Sequence, residues 1–190
     1  MSDKYRIILA SNSPRRKELL SGLDLDYEVK VLPDIEENYP DNLPTAEIPV
    51  YIAAEKAEAY RTLMAEDELI ITADTVVVLG DEVLGKPTDL DDARRMLREL
   101  SGQTHQVITG VCLMTLDKQR KFAVSTDVTF KVLTDEEIDY YVEKYKPLDK
   151  AGAYGIQEWI GYIGVTGLNG SYYNVMGLPV QRIFQELNRF

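Results

Sequence analysis

The longest apolar run in the chain is Leu69-Ile70-Ile71-Thr72-Ala73-Asp74-Thr75-Val76-Val77-Val78-Leu79. It is almost continuously apolar and β-branched, the pattern of a central strand. A shorter run, Ile7 to Ala10, reads as a second buried strand. Two stretches alternate instead. Tyr27, Val29 and Val31 interleave with Glu28 and Lys30, and Phe122, Val124, Thr126, Val128, Phe130 and Val132 fall on one side of another segment. Both predict half-buried strands. Helical spacing appears four times: Leu19, Leu20 and Leu23 behind Ser13-Pro14; Ile52, Ala53, Ala57, Tyr60 and Leu63 behind Pro49; Ala93, Met96, Leu97 and Leu100; and Val180, Ile183, Phe184 and Leu187 behind Pro179. Thr134-Asp135-Glu136-Glu137 is a capping box, so a fifth helix runs to about Tyr145 and stops at Pro147. Gly80-Asp81 joins Val77-Val78-Leu79 to Glu82-Val83-Leu84 as a hairpin, Gly102 ends the third helix and Asn169-Gly170 is a turn.

The 190 residues suit one domain, and 45% hydrophobic content is enough for a sizeable core. With 32 acidic against 21 basic residues the net charge is −11, which argues against general nucleic-acid binding but leaves room for a local basic pocket. The single cysteine, Cys112, permits no intrachain disulfide and fits a reducing cytosol. The single histidine, His105, rules out a multi-histidine metal site and has no acidic neighbour spaced for a triad, so it reads as a structural hydrogen-bonder. Residues 1–10 are too short and too mixed for a signal peptide, and no apolar run approaches the roughly 18–20 residues of a membrane span. The expectation is a cytoplasmic protein.

Several polar residues sit where the pattern does not want them. Arg15, Arg16 and Lys17 fill the first turn of the helix that Ser13 caps, although helix N-termini favour anions. Either a phosphate sits among them or they form a solvated basic turn. Asp74 interrupts the longest strand, where an unpaired carboxylate is costly. It either caps a turn or marks a strand terminus beside a site. Apolar sequence resumes at once with no Gly or Pro, which favours the site. Lys56 lies on or beside an apolar helix face, where it either snorkels to water or points an ammonium at phosphate. Asp34, Glu36, Glu37 and Asp41 belong to an acidic, proline-rich loop that is either solvated or supplies a carboxylate near Mg²⁺. Gln157, in the glycine-rich last third, carries both a donor and an acceptor and by its residue type alone reads as a surface glutamine.

Ser11-x-Ser13-Pro14-Arg15-Arg16-x-Glu18-Leu19-Leu20 resembles the signature of the Maf family, nucleoside triphosphate pyrophosphatases also described as septum-formation inhibitors. Glu55-Lys56-Ala57, Ala73-Asp74-Thr75, Gly85-Lys86-Pro87, Ser101 to Val111, Asp149 to Gln157 and Gly177-Leu178-Pro179 resemble further blocks in order. The resemblance implies one Maf-like domain over 1–190. It also implies a mixed α/β fold, with an elongated sheet, flanking helices and two lobes around a central cleft, and a homodimer. It implies hydrolysis between the α and β phosphates of a nucleoside triphosphate. Carried over by residue, Asp74 is catalytic; Ser13, Arg16, Lys56 and Lys86 bind phosphate, with Arg15 adding charge; and Arg15, Thr75 and Gln157 set specificity. Asp74 and Glu37 are the candidate ligands for Mg²⁺, with Mn²⁺ a substitute.

The family branch acting on 7-methylated GTP typically has Trp in place of Arg15, Ser-Asp-Gln in place of Ala73-Asp74-Thr75 and Glu in place of Gln157. This chain therefore resembles the dTTP/UTP branch. A cationic 7-methylguanine would also prefer an acidic or aromatic partner to Arg15 and neutral Gln157. Two rivals stand beside that reading: the 7-methyl-GTP activity, and a non-enzymatic, nucleotide-binding regulator of cell division.

Overall fold

Alternating strands and helices carry the chain through a mixed α/β architecture, seen in a computed structural model that describes residues 4–190. The expectation about residues 1–10 therefore falls partly outside the described residues. In order the elements are β1 (Arg6–Leu9), α1 (Pro14–Ser21), β2 (Tyr27–Val29), α2 (Ile48–Tyr60), β3 (Glu68–Leu79), β4 (Glu82–Leu84) and α3 (Leu90–Leu100). They continue with β5 (Thr104–Met114), β6 (Gln119–Phe130), α4 (Asp135–Tyr145), α5 (Trp159–Gly164), β7 (Val165–Asn169), α6 (Tyr172–Met176) and α7 (Val180–Leu187). The strands form a seven-stranded sheet in the order β2-β1-β3-β5-β6-β7, with β4 paired to β3. β1 runs parallel to both β2 and β3, with Leu9 opposite Ile71, whereas β3/β4 and β6/β7 are antiparallel. The mixed sheet and flanking helices are those the family resemblance implied.

The chain divides into two compact units. One comprises Met1–Asp74, Thr109–Val124 and Gly177–Phe190; the other comprises Thr75–Ile108 and Ser125–Met176. In the first, Ile8 and Ile70 pack with Tyr60 of α2, and Ala53 and Ala57 pack with Cys112 and Met114 of β5. Burial pushes the Cys112 thiol up to about 11 and leaves it an inert core group. In the second, α3 and α4 supply Leu97, Leu100, Ile138 and Tyr141 to a core shared with Phe130 and Tyr154.

Local signals were realised where predicted. Thr134 and Glu137 make both hydrogen bonds of the capping box, and Lys146 ends α4 in a left-handed conformation before Pro147. Gly80, at φ 61°, turns the β3–β4 hairpin.

Five expectations are corrected. β3 does not end at Asp74: it runs on through it to Leu79. Leu63 lies beyond α2 and is 64% exposed, because a 3₁₀ turn over Arg61–Leu63 changes the helical phase. Val132 is 76% exposed, since β6 ends at Phe130 and the alternation no longer has a sheet to face. β2 forms where expected but ends at Val29, so Val31 falls outside it, and both valines are exposed. On α7 Phe184 faces out, while Glu186 is 2% exposed and is met by Arg120, Arg182 and Arg189.

Candidate active site

Alternation along β3 puts Ile70, Thr72 and Asp74 on one face, and α2 covers it. Tyr60 packs on Ile70, the Thr72 hydroxyl donates to the Ala53 carbonyl at 2.6 Å, and Lys56 reaches Asp74. α2 can lie this close because Gly110 of β5 has no side chain: a Cβ there would stand 2.2 Å from the Pro49 carbonyl carbon and the Val50 nitrogen. Backbone proximity thus fixes the helix that delivers Lys56.

Lys56 Nζ is 3.4 Å from Asp74 Oδ1 and 2.7 Å from Glu37 Oε1, and its stem is largely buried. Asp74 is 9% exposed. Burial raises its pKa above the ordinary carboxylate value; the charges of Lys56 and Arg16 pull it down, and Glu37 pushes it up again. The resulting carboxylate is a stronger base than a free aspartate.

Arg16 approaches from α1. Its Nε donates to the Gly177 carbonyl at 2.8 Å and its Nη1 to the Ala73 carbonyl at 3.2 Å. Two backbone oxygens from distant stretches therefore set the plane of the guanidinium. Burial lowers its pKa, Asp74 and Glu37 favour its charge, and neighbouring Arg15 opposes it. Ser13 caps α1 by accepting the Arg16 N–H at 3.4 Å, and the first turn holds no acidic residue. Lys17 turns aside to Asn12 Oδ1 at 3.1 Å. Ser13, Arg15, Arg16, Glu37, Lys56 and Asp74 all belong to the first unit.

Thr75, Lys86 and Gln157 belong to the second unit. Thr75, next to Asp74, takes the opposite face of β3 and is half-buried. Lys86 is exposed just after β4. The Gly152 N–H donates to the Gly85 carbonyl at 3.1 Å, which ties the Gly85-Lys86-Pro87 stretch to the segment carrying Gln157. Gln157 Oε1 is buried and has no hydrogen-bond partner among the described residues. His105 is structural, as expected: its Nε2 meets the Tyr154 hydroxyl at 2.5 Å, and burial pushes its pKa down to about 4.

No cluster of three His, Cys, Asp or Glu that could hold a metal occurs among the described residues. Two carboxylates, Glu37 and Asp74, nevertheless converge on one cation, the Lys56 ammonium. That donor set fits Mg²⁺, which commonly takes one or two carboxylates and completes its shell with substrate phosphate and water. Sequence reasoning missed the carbonyls of Ala73 and Gly177 as the anchors of Arg16. The adjacent Asp74 and the Gly177-Leu178-Pro179 block were the available signals. It also missed Tyr141 and Glu158, which hold the Gln157 segment.

Comparison with known proteins identifies the family of the chain. The family described as Maf-like protein matches residues 6–190. A protein of Phocaeicola vulgatus named dTTP/UTP pyrophosphatase is 68% identical over 98% of this chain and 97% of its own length. One of Parabacteroides distasonis bearing the same name is 63% identical over the same shares. A solved nucleoside-triphosphatase / dITP/XTP pyrophosphatase of Mycobacterium abscessus is 14% identical over 96% of this chain and 94% of its own, with a TM-score of 0.48, too distant to carry an argument about function.

Proposed function

The chain belongs to the family of Maf-like proteins, and from that premise we propose that it hydrolyses dTTP and UTP to the monophosphate and pyrophosphate. The observation that carries the chemistry is the meeting of Asp74, Lys56 and Glu37 beside Arg16. The substrate bears close to four negative charges. Arg16 and Lys56, with Arg15 and Lys86, neutralise it and stabilise charge on the departing pyrophosphate. Ser13 holds the α1 N-terminus in place behind the cations. Asp74 accepts a proton from water as its oxygen bonds to the α phosphorus and the bond from that phosphorus to the bridging oxygen breaks. The raised pKa of Asp74 suits it to this task.

Glu37 and Asp74 would hold a divalent cation, Mg²⁺ or Mn²⁺, which when bound supplies charge neutralisation and acidifies coordinated water. Base selection falls to Arg15, Thr75 and Gln157, and the names of the 63–68% identical relatives support the pyrimidine choice. A cytoplasmic location is supported by the buried free cysteine, and no helix among the described residues is long and apolar enough to cross a membrane. The acidic net charge supports a small-molecule substrate rather than nucleic acid. The family resemblance supports a homodimer.

Pyrophosphate release from a panel of canonical and modified nucleoside triphosphates, with Mg²⁺ and with chelator, tests this reading. Metal-dependent turnover best on dTTP and UTP is expected. A preference for 7-methyl-GTP would overturn the specificity, and binding without release would overturn the enzyme.

A further inference from the structure

Gln157 rides on a four-residue turn, Gly155 to Glu158, closed by the Glu158 N–H donating to the Gly155 carbonyl at 3.0 Å. One atom holds both ends of this turn. The Tyr141 hydroxyl oxygen accepts the Gly155 N–H at 3.0 Å and donates its own proton to Glu158 Oε1 at 2.9 Å. Tyr141 is fully buried, and its ring stacks on Tyr145 one turn along α4. The same Glu158 oxygen lies 3.3 Å from Lys150 Nζ, whose side chain is mostly buried.

The turn is packed tightly around a bare α carbon. A Cβ on Gly155 would stand 2.5 Å from Glu158 Oε1, 3.0 Å from Lys150 Cε and 3.2 Å from Gln157 Nε2. The amide nitrogen of Gln157 therefore lies close over the Gly155 α carbon, while its Oε1 is buried with no partner among the described residues. A buried acceptor left unpaired is costly, so a segment held this firmly around one calls for a donor from elsewhere.

We infer that Tyr141 and Glu158 are positioning residues for base recognition: their hydrogen bonds fix the turn that presents Gln157 Oε1 to a ring N–H donor. This rests on the reading of Gln157 as a base contact and adds to it a direction. A fixed acceptor selects uracil and thymine, which carry a hydrogen on the ring nitrogen between their carbonyls. It disfavours cytosine, whose corresponding nitrogen is itself an acceptor.

The test compares kcat/KM for UTP and CTP in the wild type, Gln157→Ala, Tyr141→Phe, Glu158→Ala and Glu158→Gln, with folding checked by circular dichroism. Tyr141→Phe and Glu158→Ala are expected to lower the UTP-to-CTP ratio about three- to tenfold, the scale of one hydrogen bond. The change is expected in KM for UTP rather than in kcat. Glu158→Gln keeps an oxygen for the Tyr141 proton and is expected to recover most of the ratio. If Gln157→Ala lowers the ratio while Tyr141→Phe and Glu158→Ala leave it intact, the positioning inference is overturned and the base contact stands. If Gln157→Ala itself changes nothing, the base contact is overturned and the inference with it. Should Tyr141→Phe fail to fold, the contrast between Glu158→Ala and Glu158→Gln decides the matter alone.

Discussion

The ammonium of Lys56 stands 3.4 Å from the carboxylate of Asp74, on a helix and a strand that meet across a face of the sheet. The relationship joins two otherwise costly placements: an aspartate inside the longest apolar strand and a lysine stem against the core. Each charge makes the other tolerable. Even so, burial outweighs the nearby cations, and Asp74 keeps a raised pKa.

Asp74→Asn should therefore lose function and gain stability. Turnover falls by at least ~100-fold, the contribution of a general base, while nucleotide affinity is largely retained. Because the folded pKa of Asp74 lies above its unfolded value, ionisation at neutral pH works against folding. The gain in the variant is absent below about pH 4, where Asp is protonated in both states, and grows as pH rises through the raised pKa. Denaturant unfolding of both proteins at several pH values measures it; a variant less stable than wild type at neutral pH would contradict the sign.

Arg16→Lys keeps the charge but cannot satisfy both the Gly177 and Ala73 carbonyls in the fixed fork geometry of a guanidinium. A loss of about 1.5–3 kcal/mol is expected, the scale of a hydrogen bond to a charged group, together with a higher KM for nucleotide. Thermal unfolding and steady-state kinetics on one preparation check both effects.

His105 gives a pH signature of its own. Its folded pKa, near 4, lies below the unfolded value near 6.5. Stability from keeping it neutral is complete above pH 6.5 and is lost as pH falls toward 4, by about 3 kcal/mol in all. His105→Gln should flatten that slope between pH 6.5 and 5, above the range in which ordinary, unshifted carboxylates titrate. Equal slopes in the two proteins would refute it.

Gly110→Ala places a methyl against the backbone of Pro49 and Val50. Neither neighbour is a flexible side-chain end, so α2 must move. Destabilisation of about 3 kcal/mol or more is expected, and activity should fall because Lys56 moves with the helix. Urea unfolding alongside a nucleotide assay separates the two effects.

Much of the fold was legible because its signals are local. The capping box at Thr134, the hairpin at Gly80 and the apolar face of α3 depend on neighbours within a few residues, and each formed where its pattern lies. Leu63 and Val132 were misread for the complementary reason: a periodic pattern does not say where its element stops. Glu186 looked like a surface charge and is buried because Arg120, 66 residues earlier, joins Arg182 and Arg189 around it.

The sequence by itself determined the residue types of the candidate site and the elements that carry them. Cations in the first turn of a helix and a carboxylate in an apolar strand conflict with local preference, and such conflicts are visible without coordinates. Tertiary structure alone decided their partners. Asp74 is held from within an unbroken strand by Lys56, 18 residues away. Arg16 is oriented by carbonyls 57 and 161 residues distant. The Gln157 turn is clasped by a tyrosine hydroxyl on another helix. Periodicity and caps are set by steric and hydrogen-bonding rules a few residues long, whereas these contacts depend on which surfaces the chain buries against one another, and no local spacing encodes that.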